Sequence, residues 1–446
     1  EHVIRSFSER TTLAKDKTFS DFEANFSEKS NVYTYFSTNN AIHSLQGLLN
    51  QDLADQLNPM IDSIRKFESV AFQYSNSDGQ FYSSFLLRYD PNLGKEGPLQ
   101  WQAALDTSIT GRPRIIPTTS KGSFAVVATD LSNNLYLVSS KGHIEWKLHI
   151  MGQILGDIHT IQRKGSDSLY LVFNTDTHLY MLHADGTFAD KFPMRFPLHA
   201  TNGVTLADWE NNHDYRVLVA FQDNRVYCFD MDGISDFNWK RPNLKEEIKQ
   251  PVSCFINDGN EYILITGITG NTMILDRNGD QRIAAGPKFT QAPLTGFHRN
   301  MTNKKGLFLT TGPDGKVIFI QESGKTSEVT LNLFSPDHRF FYEDITGNGQ
   351  HEFIFSDRNS IYYYNRNYKL VYSYAFRREI SNPPFLLFGS EGKVMIGYVV
   401  PETNELFLFD HHGYRELESG IRGNTPFDIG FLENNAEMNL LVGAGK

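Results

Sequence analysis

A phrase that recurs at a nearly constant interval constrains this chain more than any other feature. An alternating run of aliphatic and aromatic residues ends in a short polar turn. The residue closing that turn falls at Gly142, Gly186, Gly233, Gly279, Gly324, Tyr368 and Gly413, at intervals of 44, 47, 46, 45, 44 and 45 residues. So small a drift over six intervals marks a structural repeat. Each unit has room for four short strands; in the second they are predicted at 144–149, 156–161, 168–174 and 178–183. Two-residue alternation rich in Val, Ile, Tyr and Phe reads as half-buried antiparallel strand, and Lys-Gly, Asp-Gly and Asn-Gly supply the turns.

Four antiparallel strands at this period are the signature of a β-propeller blade. One such sheet cannot shield both faces alone, whereas sheets set around an axis cover one another and leave short edges. The expected fold is therefore mainly β: an eight-bladed β-propeller of four-stranded antiparallel blades, with seven blades as the alternative. Innermost strands are expected to begin near Arg112, Gln153, His199, Gln250, Gln291, His338, Asn382 and Asn424. Two strands from 82–105 are expected to pair with two from 425–445 and close the ring. Residues 1–80 lack the repeat and read as a small, incomplete α+β region, leaving 81–446 to the propeller. Within 1–80, 31–36 reads as a strand. Ile42, Leu45, Leu49, Leu53 and Leu57 recur at helical spacing; Met60, Ile61, Ile64 and Phe67 suggest a second short helix. A hairpin is expected from 70–75 to 80–89.

Composition narrows the function. Lys plus Arg total 42 against 52 for Asp plus Glu, a net charge of −10 among 446 residues. That balance gives no general attraction for phosphate backbones or anionic lipid, so no nucleic-acid partner and no membrane contact are expected, apart from an anchor upstream of Glu1. The start at Glu1 in place of Met reads as a processed product or a shortened chain. Two cysteines, Cys228 and Cys254, make no disulfide framework or metal motif; they are expected as buried thiols, with a single bridge as the alternative.

The sharpest local motif is Asp344-Ile-Thr-Gly-Asn-Gly-Gln-His-Glu352. Oxygen groups at alternate positions, glycine for a sharp bend and a carboxylate at the ninth position suit a hard cation. The motif resembles the calcium loop of integrin-type propeller repeats, which implies one structural Ca²⁺ held by Asp344, Thr346, Asn348, Gln350 and Glu352. It departs from that pattern with Thr346 where Asp or Asn is usual. The alternative is a decayed turn that keeps the geometry without the ion. The corresponding turn beginning at Asp208 has Arg216 at the ninth position, which a cation would reject. The histidines form no metal set, and His159, His298 and His351 are expected as hydrogen-bonded structural residues. No HExxH, Gly-x-Ser-x-Gly or GxxxxGK[ST] is present, and the Gly267–Gly270 pair reads as a turn.

By this repeat pattern residues 98–446 resemble the propeller superfamily that includes quinoprotein alcohol dehydrogenases and the lipoprotein of bacterial outer-membrane assembly. Trp101, Trp146 and Trp239 occupy the outer-strand position of the quinoprotein Trp-and-Gly docking motif; the rest of that motif is absent, so no organic cofactor is expected. Residues 31–90 faintly resemble the N-terminal part of uncharacterised Bacteroides-type envelope proteins. The resemblance implies an extracytoplasmic protein, periplasmic or attached to the outer membrane. The expected function is a non-catalytic scaffold binding a protein partner or a polar small ligand at the channel rim. That rim would comprise Arg112, Gln153, His199, Gln250, Gln291, His338, Asn382 and Asn424. The alternative is a degenerate quinoprotein-like or carbohydrate-active enzyme with its site at the central channel. No catalytic residue is nominated.

Overall fold

The computed structural model describes residues 31–37, 67–77, 80–89, 99–118, 123–283, 289–301, 305–376, 378–380, 385–388, 394–411, 413, 423–433 and 438–444. Among them every regular element is a strand, and the chain divides into two compact units at Gly97/Pro98. In the first unit Val32–Ser37, Phe67–Ser77 and Gln80–Tyr89 form an antiparallel sheet in that order, with Phe72 opposite both Thr34 and Phe85. The expected strand and hairpin are therefore present. The helical run 42–57 and residues 60–66 of the second lie outside the described residues, while Phe67 opens a strand. One expectation is corrected. Residues 82–89 do not join the propeller but pair along their length with Phe67–Ser77, Tyr82 opposite Ser75 and Leu87 opposite Val70.

The second unit, from Pro98 onward, contains eight sheets among its described residues. They cover 109–149, 155–195, 205–229, 253–275, 298–329, 339–375, 385–409 and 428–441. Four have four strands, three have three, and the last has two. The repeat's turn chemistry explains their hairpins. Asp230 Oδ1 accepts hydrogen bonds from the N–H groups of Asp232 (2.9 Å) and Ile234 (2.8 Å), so the chain reverses into Gly233 at φ 75°. Asp276 does the same for Asn278 and Asp280 ahead of Gly279. At Tyr368 a side chain occupies this left-handed conformation, φ 64°, at a backbone cost of about 1–2 kcal/mol. Contacts of its ring with Lys305 Nζ (4.4 Å) and the Phe353 ring (5.3 Å) offset that cost.

Alternation along the second strand of each sheet decides the architecture. In Phe124–Asp130, Ala125 and Val127 enter a core shared with Leu171, Phe173 and Tyr180 of the second sheet, while Val126 enters the core on the other side. In Leu169–Asn174, Leu171 and Phe173 face back and Val172 faces forward onto Val217 and Val219 of the third. The same division recurs at Val217/Leu218, Leu264/Ile265, Phe308/Leu309, Phe353/Ile354 and Tyr398/Val399. The eighth core returns to the start: Leu432 and Leu441 meet Val126, Tyr136 and Val138 of the first sheet. Sheets whose cores are shared pairwise in a cycle form a β-propeller. The second strands are covered on both faces, which is why strands buried on both sides are stable here.

Outer aromatic residues tie each sheet to the next turn. Trp146 donates from Nε1 to the Ala184 carbonyl (3.0 Å), and its ring lies 2.7 Å from where a Cβ on Gly186 would sit. Trp101 stands in the same relation to Ser140 (2.8 Å) and Gly142 (2.7 Å). Only glycine fits under each ring, and each glycine also has positive φ. Trp101 thus does for the first sheet what Trp146 does for the second. With Ala103 and Leu105 it packs into the core shared by the eighth and first sheets, although residues 99–105 form no strand. Cys228 and Cys254 are free thiols in the third and fourth sheets; burial pushes Cys228 up to about 12 and raises Cys254 as well.

Candidate functional site

Because neighbouring strands run antiparallel, three features, where a sheet has them, fall at one end of it. These are the start of the first strand, the turn between the second and third strands, and the link arriving from the previous sheet. The described polar residues expected at the rim map to this end, but they do different work.

Several stitch sheets together. Asn174 accepts from the Val204 N–H at Oδ1 (2.8 Å) and donates to the Asn202 carbonyl (3.0 Å). Asn202 in turn donates to the Gln250 carbonyl (2.8 Å), and the Gln250 amide donates to the Pro293 carbonyl. Thr201 and Thr205 donate to the carbonyls of Ile248 (2.6 Å) and Val252 (2.8 Å). This ladder joins the links of the second to fifth sheets, and it satisfies backbone groups that the ring would otherwise bury unpaired.

Two expected rim residues are corrected. Gln291 is buried and donates to the Thr295 carbonyl (3.0 Å) and the Thr310 hydroxyl (2.8 Å). His338 is wholly buried, with Nε2 2.8 Å from the Thr311 hydroxyl and Nδ1 2.7 Å from the Ser335 carbonyl; burial pushes its imidazole below the usual range. Neither presents a group to a ligand. Arg112 is committed too: its Nη2 lies 2.6 Å from Asp428 Oδ1. Gln153 and Asn424 are exposed, and His199 is exposed with Nδ1 2.9 Å from Asp176 Oδ2. Asn382 lies outside the described residues.

Sequence reasoning missed the apolar side chains at this same end. Leu131 (62% exposed) and Ile268 (52%) tip turns between second and third strands; Met151 (49%), Leu294 (38%) and Leu333 (76%) lie on links between sheets. The sequence signal is a single aliphatic residue inside a polar turn, as in Asp130-Leu-Ser-Asn-Asn134 and Gly267-Ile-Thr-Gly270. Nothing in the turn requires an apolar residue there. Glu246 holds the second turn by accepting from the Thr269 N–H (2.9 Å), leaving Ile268 to solvent. The opposite end also carries exposed apolar residues, Ile234 and Phe237 foremost, near the Gly233 turn.

The Asp344–Glu352 segment links the first two strands of the sixth sheet. Asp344 accepts from the N–H groups of Asn348 (3.0 Å) and Gly349 (2.6 Å), and Asn348 Oδ1 accepts from the Gln350 N–H (2.9 Å). Glu352, buried, accepts from the Ile345 N–H (3.0 Å), and the Thr346 hydroxyl sits 3.4 Å from Asp344 and 3.3 Å from Glu352. Asp344, Thr346 and Glu352 are thus brought together, while the Asn348 side chain turns into its own loop. Burial holds the Glu352 carboxyl above its usual range, against the lowering effect of the Ile345 and Thr346 bonds. The loop at Asp208 repeats the pattern. Asp208 accepts from Asn212 (3.0 Å) and His213 (2.8 Å), and Asn212 Oδ1 from Asp214 (3.0 Å), with Arg216 at the ninth position. One hydrogen-bonded shape therefore tolerates either charge at that position.

No family model matches the chain, and no curated protein sequence matches it. Solved structures do. BBS1N, described in complex with ARL6DN, is 13% identical over 66% of this chain and 89% of that one, with a TM-score of 0.45. BamB from Moraxella catarrhalis is 13% identical over 74% and 93%, TM-score 0.44. Sqt1 from Saccharomyces cerevisiae is 12% identical over 74% and 87%, TM-score 0.46. Similarity this distant carries no argument about sites, and the propeller rests on the chain's own shared cores.

Proposed function

We propose that the second unit is an eight-bladed propeller acting as a non-catalytic scaffold that docks a protein partner on the end where its first strands begin. One observation carries this reading: Leu131, Met151, Ile268, Leu294 and Leu333 are exposed there, interspersed with the exposed polar groups of Gln153, His199 and Asn424. Apolar anchors set among hydrogen-bonding groups on a rigid scaffold suit recognition of a protein surface. A polar small ligand at the same rim is the narrower form of this reading. The resemblance supports a further placement in the cell envelope, which fractionation of the source cells tests.

The test compares the two ends. A partner captured by the wild type from native extract, and identified, is expected to lose at least tenfold in affinity with Leu131→Glu/Ile268→Glu/Leu333→Glu. Ile234→Glu/Phe237→Glu on the opposite end should bind as the wild type does, with both variants folded by circular dichroism. Equal binding by the two variants, or loss only in the second, would reject the assignment.

For the Asp344–Glu352 loop we propose the self-supported turn, since the Asp208 loop holds the same aspartate and asparagine bonds with Arg216 in place of Glu352. Millimolar calcium, or a chelator, is expected to leave Tm unchanged. A calcium-dependent rise of several degrees that Glu352→Gln abolishes would establish a structural ion instead.

A further inference from the structure

The three-stranded sheet of the first unit turns an apolar face outward. Its pairing sets Phe36, Val70 and Leu87 in one row across the sheet and Thr34, Phe72 and Phe85 in the next. Tyr74 and Phe81, stacked with centroids 6.1 Å apart, lie beyond them. Directly opposed residues of antiparallel strands share a face, and alternation brings Tyr89 onto it as well. Phe36, Phe72, Phe81, Phe85, Leu87 and Tyr89 are each 42–66% exposed. Ser69, Ala71 and Gln73 of the middle strand point the other way and are buried.

A one-sided antiparallel sheet ordinarily packs its apolar face and leaves the polar one to water. Here the six exposed side chains present about 600 Å², as much as the largest apolar patch on an ordinary monomer. Among the described side chains of this face none is charged; Arg88, opposite Ser69, falls on the other face. The surface that fits it is therefore equally uncharged and carries a matching twist. A second copy of the same sheet supplies both, packed face to face at about 10 Å as in a β-sandwich. Two copies remove about 1,200 Å² from these six side chains alone, which reaches the range of specific interfaces before Val70 and Tyr74 are counted. Pairing edge to edge through Gln80–Tyr89 would lengthen the sheet and leave the face in water.

We propose that the chain is a homodimer joined through this face, with the sheets of two first units packed against each other around Phe72 and Phe85. The contact is isologous: each copy offers the same patch and receives the same patch, so the assembly closes at two. It uses none of the residues at the end of the propeller assigned to a partner protein, and it stands whether or not that end docks one.

Sedimentation velocity of the whole chain over about 0.1 to 100 µM tests this. A monomer–dimer equilibrium with Kd in the micromolar range or tighter is expected. Phe81→Lys/Phe85→Lys should weaken it roughly 100-fold, because unpaired charges enter an apolar contact, with the circular dichroism of the wild type. Should that variant fold poorly, Phe81→Ser/Phe85→Ser gives a milder break, expected at about tenfold. Leu131→Glu/Ile268→Glu/Leu333→Glu should dimerise as the wild type does, so failure of the dimer and failure of docking are read separately. A monomer throughout that range would overturn the proposal and leave the face to another part of this chain or to a different protein. A dimer that the substitutions at Phe81 and Phe85 do not weaken would overturn it too, and would put the contact elsewhere.

Discussion

Replacing Asp428 with alanine is expected to lower the unfolding free energy of the propeller by about 3–5 kcal/mol. Asp428 is buried where the last sheet meets the first. Its Oδ1 takes the Arg112 Nη2 (2.6 Å) and its Oδ2 the Ile115 N–H (2.8 Å), both on the strand Ile109–Pro117. Removing the carboxylate leaves a half-buried guanidinium and a backbone N–H without this acceptor, at the one seam that no continuous link of chain spans. Arg112→Ala should cost less, because Asp428 keeps Ile115. Urea denaturation of the two single variants and the double gives the coupling, expected at 1 kcal/mol or more. Hydrogen exchange should show Ile109–Pro117 and Asp428–Gly430 losing protection together in Asp428→Ala. Coupling near zero, with no change at those strands, would mean that the ring is closed by apolar packing alone.

Asp130→Ala is expected to cost about 3 kcal/mol, from several buried donors deprived of one acceptor. Asp130 is 2% exposed and accepts four hydrogen bonds: the N–H groups of Ser132 (2.9 Å) and Asn134 (2.9 Å), the Asn134 amide (3.0 Å) and the Tyr136 hydroxyl (2.8 Å). Burial alone would raise its carboxyl. The bonds from Asn134, Tyr136 and Ser132 outweigh burial and bring it down to about 2. A depressed value means that the folded state favours the carboxylate, so this stabilisation is present above the free value of 3.8 and is lost as pH falls through it towards 2. The stability difference between the wild type and Asp130→Asn should therefore be constant from pH 7 to 5 and shrink below 4. A difference independent of pH across that range would show that shape, not charge, holds the turn.

The two sites also show where the sequence was legible. The turn at Asp130-Leu-Ser-Asn-Asn134 is local, and polar turn residues between two alternating runs announce it. The partner of Asp428 is not local: Arg112 lies 316 residues away. Residues 82–89 mislead for the same reason. Phe85-Leu-Leu-Arg-Tyr-Asp90 has the alternation of a third strand in the repeat, but alternation specifies a face and not a neighbour. The pairing fell to Phe67–Ser77, nearby in sequence, where loop closure costs least.

Rim residues divide along the same line. His199, Gln153 and Asn424 remain exposed, yet Gln291 and His338, drawn from similar polar openings, turn inward to Thr310 and Thr311. A polar residue before a strand is compatible with solvent or with a buried acceptor, and the depth of the incoming link chooses between them. Exposed Leu333 and Ile268 show the converse: hydrophobicity gives a tendency to be buried, which a turn pointing outward overrides.

By itself, the sequence determined the repeating unit, the alternating strands and the glycine turns, because these depend on residues within a few positions of one another. Only the tertiary structure decided which sheets share a core, that the last returns to the first through Asp428, and which polar groups reach solvent. Those outcomes depend on contacts between distant parts of the chain, whose energies no local pattern records.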